Sequence, residues 1–86
     1  MNDRLQVLRD EINVLDAELI QRLTRRLEVA RQIGQMKAEL NLPIYDPARE
    51  QEILAKLEQD IDLPEHRWAL RQIYLAIFAA AREIQG

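Results

Sequence analysis

The sequence contains no cysteine, no serine and only one histidine, His66, in 86 residues. Without cysteine the chain has no disulfides, thiolate metal sites or cysteine nucleophiles. Without serine, and with a single histidine, it has no His and carboxylate set for nucleophilic or hydrolytic catalysis, and we expect no metal. Glycine occurs only twice, so a glycine-rich phosphate-binding loop is also excluded. Any reaction on this chain therefore depends on fixed charges and hydrogen bonds.

The composition narrows the class of protein further. A net charge of −3 argues against a general nucleic-acid-binding protein, and we expect no nucleic-acid partner. The hydrophobic fraction of 48% and the charged fraction of 31% suit a single soluble, helix-rich domain spanning residues 1–86. The first residues are polar, and nothing resembles a signal peptide or a membrane span. We therefore expect a cytoplasmic protein with no membrane partner.

The first long stretch, from Asp3 to about Leu40, has the pattern of one amphipathic helix. It contains no proline and a single glycine, and its apolar residues recur in steps of three and four, at Leu5, Leu8, Ile12, Leu15 and Leu19. About 38 residues form a rod roughly 57 Å long, whereas a compact chain of this size has a radius of gyration near 12 Å, on the order given by the usual scaling. The rod extends beyond any core that its own chain builds. We therefore expect an obligate homodimer in which a second copy covers the apolar stripe.

Two shorter helices follow. The first helix ends near Asn41, a residue type that tolerates the left-handed conformation found at helix ends. Asp46 is placed to cap a second helix that runs from Pro47 to about Gln59, with proline in the first turn. Pro64 begins a third helix that extends almost to the end of the sequence. The predicted fold class is all-α, with three helices per chain.

Four polar residues lie on otherwise apolar helix faces: Arg26, Lys37, Glu50 and Gln85. Arg26 and Lys37 are eleven residues apart, so they project from one face of the first helix about 16 Å apart. An unpaired buried charge is costly, so each needs a partner. Two interpretations remain open at this point. Either Glu50 pairs internally with Arg26 or Lys37, or the residues form a polar pocket whose excess positive charge binds a small anion.

Four groups of residues, in order, carry a family resemblance: Leu8 to Ile12 with Leu15 and Asp16; Arg26 with Ala30, Ile33, Gly34 and Lys37; Pro43 to Glu50; and Gln85. Together, at this spacing, they resemble the all-helical (AroQ-type) chorismate mutases over nearly the whole chain. The resemblance implies an intertwined six-helix homodimer with two active sites. It also implies the Claisen rearrangement of chorismate to prephenate, toward phenylalanine and tyrosine, with no cofactor.

The resemblance also implies roles for individual residues. Arg26 should bind a substrate carboxylate, and Lys37 should reach the ether oxygen and a carboxylate. Gln85 should hydrogen-bond the ether oxygen from the other side. Glu50 and the backbone near Asp46 should hold the ring hydroxyl. Such a reaction needs orientation and stabilisation of developing charge, without a nucleophile, base or metal.

Three further positions complete the expected substrate-binding set. Arg49 should help to arrange the ring-hydroxyl region. Ala81 stands where some family members carry a serine that contacts a carboxylate, so the arginines carry more of that binding. Arg9 should bind the other carboxylate in the partner chain's site. The helix geometry agrees with a contribution from the partner chain. Arg9 and Arg26 are 17 residues apart, about 25 Å along one helix, and differ in phase by roughly 100°, so they cannot both bind one small molecule within a single chain.

Two alternatives to the mutase remain open. An isochorismate-pyruvate lyase would keep the fold and change the reaction; the segment from Pro43 to Glu50 and the terminal Gln85 favour the mutase. A non-catalytic dimerisation or regulatory module, associated with a larger aromatic-pathway enzyme, would explain the helices. Such a module would not require the charged residues that lie on the apolar faces of the helices.

Overall fold

The computed structural model describes residues 3–86, which form three α-helices and no strand. Helix α1 spans Asp3–Glu39, α2 spans Pro47–Asp60 and α3 spans Pro64–Gln85. The all-α class and the three helices predicted from the sequence are confirmed, and each predicted end lies within a residue or two of the observed one.

The helix ends follow the local chemistry that the sequence indicates. Asn41 adopts a left-handed conformation with φ of 55°. Its N–H donates to the Ala38 carbonyl, and the N–H of Leu42 donates to the Lys37 carbonyl at 2.8 Å. These two bonds form a Schellman motif that ends α1. The Asp46 carboxylate caps α2 by accepting a hydrogen bond from the backbone N–H of Arg49 at 3.1 Å.

The hydrophobic core is small and lies at the C-terminal half of α1. α3 packs against both α1 and α2. The buried hydrophobic residues of the described chain are Ala30, Leu54, Phe78 and Ala81. The ring of Phe78 also meets that of Tyr74 edge to face, with 5.8 Å between the ring centroids. The core therefore contains residues from all three helices.

The N-terminal half of α1 extends past this core. Every residue from 3 to 22 is exposed, and the molecule is 59 Å long in its longest dimension. Its radius of gyration is 16.5 Å, against about 12 Å for a compact chain of this length. Apolar residues of the stripe, among them Leu8, Ile12 and Leu19, are 46%, 56% and 54% exposed. The predicted rod, too long for the core of its own chain, is confirmed.

α1 and α3 approach each other closely at Gly34, which is buried. A Cβ atom added to Gly34 would lie 2.8 Å from the Cα of Gln85 and 2.9 Å from its carbonyl oxygen. Real Cβ atoms do not approach backbone atoms so closely. The last turn of α3 therefore lies against the α1 backbone because position 34 has no side chain.

We predict that Gly34→Ala destabilises the protein, although a glycine-to-alanine change at an exposed position inside a helix stabilises that helix by about 1 kcal/mol. The added methyl group would overlap backbone atoms of Gln85, which cannot move aside by a change of side-chain rotamer. We expect the free energy of unfolding to fall by about 1 to 3 kcal/mol, as measured by denaturant unfolding at fixed protein concentration.

The matched control is Gln35→Ala, a change at the next, exposed position of α1. We expect it to alter the free energy of unfolding by less than about 0.5 kcal/mol. A Gly34→Ala protein as stable as the unaltered one would contradict the close crossing.

Candidate active site

A cavity of about 300 Å³ opens where the three helices and the connection between α1 and α2 meet. This volume lies at the lower end of the range for small-molecule sites. The cavity brings together seven of the eight residues that the sequence suggested as a site: Arg26, Lys37, Asp46, Arg49, Glu50, Ala81 and Gln85.

The cavity lining carries more positive than negative charge. Two carboxylates, Asp46 and Glu50, face four cationic side chains, those of Arg26, Lys37, Arg49 and Arg82. Apolar residues such as Val29, Ile33 and Phe78 fill the rest of the wall. A wall of this kind lowers the local dielectric constant and strengthens the attraction of the cations for an anionic ligand.

Lys37 connects α1 to two other parts of the cavity wall through hydrogen bonds. Its ammonium group donates to the side-chain carbonyl oxygen of Gln85 at 2.9 Å and to the backbone carbonyl of Ile44 at 2.7 Å. Because an ammonium group only donates, Oε1 of Gln85 must face it, which fixes the orientation of the amide. The Gln85 Nε2 group makes no hydrogen bond within the described chain. One N–H of Lys37 and the amide N–H₂ of Gln85 are therefore available to a ligand.

Arg26 has no carboxylate partner within residues 3–86. It is half-buried on the cavity wall, and its guanidinium carbon lies 5.9 Å from the centre of the Tyr74 ring. A cation–π contact at this distance holds the guanidinium group in place without using its N–H donors. Arg26 thus presents a positioned, unpaired cation with the fork geometry that suits a carboxylate.

Glu50 pairs with Arg82, a residue that the sequence interpretation did not single out. One guanidinium nitrogen of Arg82 donates to Oε2 of Glu50 at 2.5 Å, and the two side chains are 37% and 20% exposed. The interpretation that pairs Glu50 internally with Arg26 or Lys37 is therefore wrong. Those two cations lie along α1, whereas Arg82 reaches Glu50 from α3.

A signal for Arg82 was present in the apolar pattern of α3. The stripe is two residues wide, with Ile73 and Tyr74 in one turn and Ile77 and Phe78 in the next. The same spacing places positions 81 and 82 together one turn later. An arginine at the edge of a stripe resembles an ordinary exposed residue, so only the width of the stripe indicated that Arg82 faces inward.

The residues around the start of α2 lie at the rim. The Asp46 carboxylate is occupied by capping the helix, while the Arg49 guanidinium pairs with Glu52 at 3.1 Å. The side chains of Arg49 and Glu52 are 63% and 68% exposed, so their ion pair contributes little to stability. Ala81, only 7% exposed, places a methyl group on the cavity wall.

Arg9 is the predicted site residue that the cavity does not contain. It is exposed on the N-terminal half of α1. Because α1 is one continuous helix, Arg9 lies about 25 Å along the axis from Arg26. A single chain therefore assembles the other seven residues and leaves Arg9 outside.

Neither a metal centre nor a membrane span is found in the part of the chain that the structure describes. Residues 3–86 contain no group of three or more His, Cys, Asp or Glu side chains placed to hold a metal ion. His66 is exposed at the start of α3. None of the three helices is long and apolar enough to cross a membrane. The chemical capacity of the cavity lies in positioned cations and hydrogen-bond donors.

Comparison with known proteins finds relatives that are described as chorismate mutases. A chorismate mutase from Methanocaldococcus jannaschii is 28% identical over 90 residues, covering 87% of this chain and 91% of that protein. A bifunctional chorismate mutase/prephenate dehydratase from Aquifex aeolicus is 42% identical over 55 residues, or 64% of this chain. The aligned part is 15% of the Aquifex protein, so the chain corresponds to a small portion of that longer relative.

Comparison of the fold with solved structures also finds chorismate mutases. A solved structure of chorismate mutase from Thermus thermophilus superposes with a TM-score of 0.89 and 34% sequence identity, covering 95% of this chain and 93% of that one. The sequence also matches the family described as chorismate mutase type II over residues 8–86, the segment that contains the cavity and all eight suggested site residues. This chain belongs to the type II chorismate mutase family.

Proposed function

We propose that the chain catalyses the rearrangement of chorismate to prephenate in phenylalanine and tyrosine biosynthesis. The observation that carries the proposal is a cavity in which Lys37 and Gln85 are hydrogen-bonded to each other and which the unpaired Arg26 also lines. Family membership supports the reaction class, and the cationic lining suits a substrate with two carboxylates.

The reaction breaks one carbon–oxygen bond and forms one carbon–carbon bond within a single molecule. The protein must hold the substrate in its compact conformer and stabilise negative charge that builds on the ether oxygen. The free N–H of Lys37 and the amide of Gln85 are the donors for that oxygen. Both are fixed before substrate binds, because each holds the other. Preorganised donors of this kind cost little reorganisation in the transition state.

The remaining polar groups bind the ends of the substrate. Arg26 binds one carboxylate with its unpaired guanidinium group. Glu50 and the backbone at Asp46 hold the ring hydroxyl, next to Arg49 at the rim. Ala81 offers only a methyl group, so no hydroxyl at that position assists carboxylate binding. The second carboxylate therefore depends on an arginine from outside this chain.

A second copy of the chain supplies that arginine in the proposed homodimer. The exposed apolar stripe of the N-terminal half of α1 needs a cover. An antiparallel partner helix covers it and brings the partner's Arg9 beside Arg26. The result is an intertwined six-helix dimer with two shared sites. The bifunctional Aquifex relative further supports association with another aromatic-pathway enzyme.

The direct test is the loss of chorismate absorbance with purified protein, with isochorismate assayed in parallel. We expect conversion of chorismate to prephenate without added metal or cofactor. Turnover of isochorismate alone would replace the mutase with a lyase on the same fold. Turnover of neither substrate would leave a non-catalytic module and overturn the proposal.

We predict that Lys37→Ala lowers kcat by at least about a hundredfold, because a donor to the developing charge is lost. Lys56→Ala removes the only other lysine, exposed on α2, and serves as the matched control with kcat near that of the unaltered protein. Denaturant unfolding establishes that both variants are folded. Equal kcat values for the two variants would show that the site is misplaced.

Mixing two inactive variants tests the shared site. Arg9→Ala and Arg26→Ala should each be inactive alone. Unfolded together and refolded as an equal mixture, they should regain about a quarter of the normal number of sites, since half the dimers are mixed and each has one intact site. Arg4→Ala, a change at an exposed position on the same helix, is the control for the substitution itself. Absence of recovered activity, in mixed dimers isolated through an affinity tag carried by one of the two variants, would exclude a site that uses the partner's Arg9.

A further inference from the structure

Arg82 joins three separate parts of the chain at one end of the cavity. It projects from α3 in the turn before Gln85 and donates to Glu50 on α2. Its guanidinium carbon also lies 5.3 Å from the centre of the Tyr45 ring, in the connection that precedes α2. No other side chain of the described residues has both an ion pair and a cation–π contact across the cavity. Arg82 is therefore more than an exposed cation at the edge of α3.

We propose that Arg82 is a positioning residue that presents the Glu50 carboxylate to the ring hydroxyl of the substrate. This inference rests on the proposed function, and it assigns Arg82 to substrate orientation rather than to the reacting atoms. Arg82 occupies Oε2 of Glu50, while Oε1 makes no hydrogen bond within residues 3–86. The ion pair leaves one carboxylate oxygen available to accept a hydrogen bond from a hydroxyl group in the cavity.

The constraint on Glu50 comes from its ion pair with the Arg82 cation, which the Tyr45 ring in turn helps to hold in place. The guanidinium carbon of Arg82 lies over the Tyr45 ring, and this cation–π contact favours one position of the positive charge beside Glu50. Glu50 then has one favoured position, although a free glutamate side chain has several rotamers. A substrate hydroxyl meets a preorganised acceptor, and less conformational entropy is lost on binding.

The position of Arg82 relative to Gln85 separates two effects that a substitution could have. The ring hydroxyl is present in both substrate and transition state, so losing its acceptor weakens the binding of both and raises KM. Gln85 acts at the ether oxygen, where charge develops, so displacing it would lower kcat. A substitution at Arg82 that acts through Glu50 therefore changes KM, whereas one that disturbs the end of α3 changes kcat.

The experiment compares four proteins on chorismate: unaltered, Arg82→Met, Glu50→Ala and the double variant. Methionine keeps much of the length and apolar character of arginine while removing the charge. We expect Arg82→Met to raise KM about tenfold with kcat changed less than about threefold. In the Glu50→Ala background the same substitution should change KM less than about twofold, because the residue through which Arg82 acts is gone.

Two further variants control the interpretation. Arg82→Lys keeps a positive charge that can pair with Glu50 and contact the Tyr45 ring, so KM should stay within about threefold of that of the unaltered protein. Arg71→Met makes the same replacement at an exposed position of α3 outside the cavity, and should leave both constants unchanged. Denaturant unfolding shows whether each variant is folded at the assay temperature.

The possible outcomes separate the two proposals. If the unaltered protein fails to convert chorismate, the proposed function fails and the role of Arg82 fails with it. If chorismate is converted but Arg82→Met raises KM equally with and without Glu50, Arg82 binds the substrate directly and the positioning role is overturned. A loss confined to kcat, or an Arg82→Lys protein no better than Arg82→Met, also overturns it. The expected pattern, a KM effect that requires Glu50 and is rescued by lysine, supports it.

Discussion

The close approach of α1 and α3 at Gly34 is the constraint on which the rest of the site depends. Because position 34 has no side chain, the last turn of α3 lies against the α1 backbone. One turn further along α1, Lys37 is then near enough to donate to Gln85 at 2.9 Å. The same ammonium group donates to the Ile44 carbonyl and so ties the connection between α1 and α2 to both helices. Without this crossing, the two donors of the site would not share one cavity.

The site also depends on how the chain tolerates several charges in a small domain. Only four hydrophobic residues of the described chain are buried, and none of its charged residues is. Three of the four cations of the cavity are half-buried, whereas Arg49 is exposed at the rim. The half-buried cations are held by hydrogen bonds or aromatic rings, as Arg26 is by Tyr74 and Arg82 by Tyr45. Partial exposure limits the cost of desolvation, and the fixed positions prepare the site for an anion.

Much of the candidate site was visible in the sequence because a polar residue on an apolar helix face stands out. This pattern identified Arg26, Lys37, Glu50 and Gln85, and all four line one cavity. The pattern did not show how they pair. One of the two interpretations left open paired Glu50 with a cation of α1, whereas its partner is Arg82, 32 positions along the chain. Periodicity reports which face of a helix a residue occupies, but not which residue of another helix it meets.

The sequence by itself determined the helices and their ends, since these depend on neighbours within a few residues. Apolar spacing, the proline at the start of α2 and the left-handed Asn41 are all local features, and the length of α1 alone indicated a rod larger than its core. Only the tertiary structure decided which side chains meet. The contact between Lys37 and Gln85 spans 48 positions. It exists because two helices cross at a distance that a missing Cβ atom permits, and no local pattern encodes that distance.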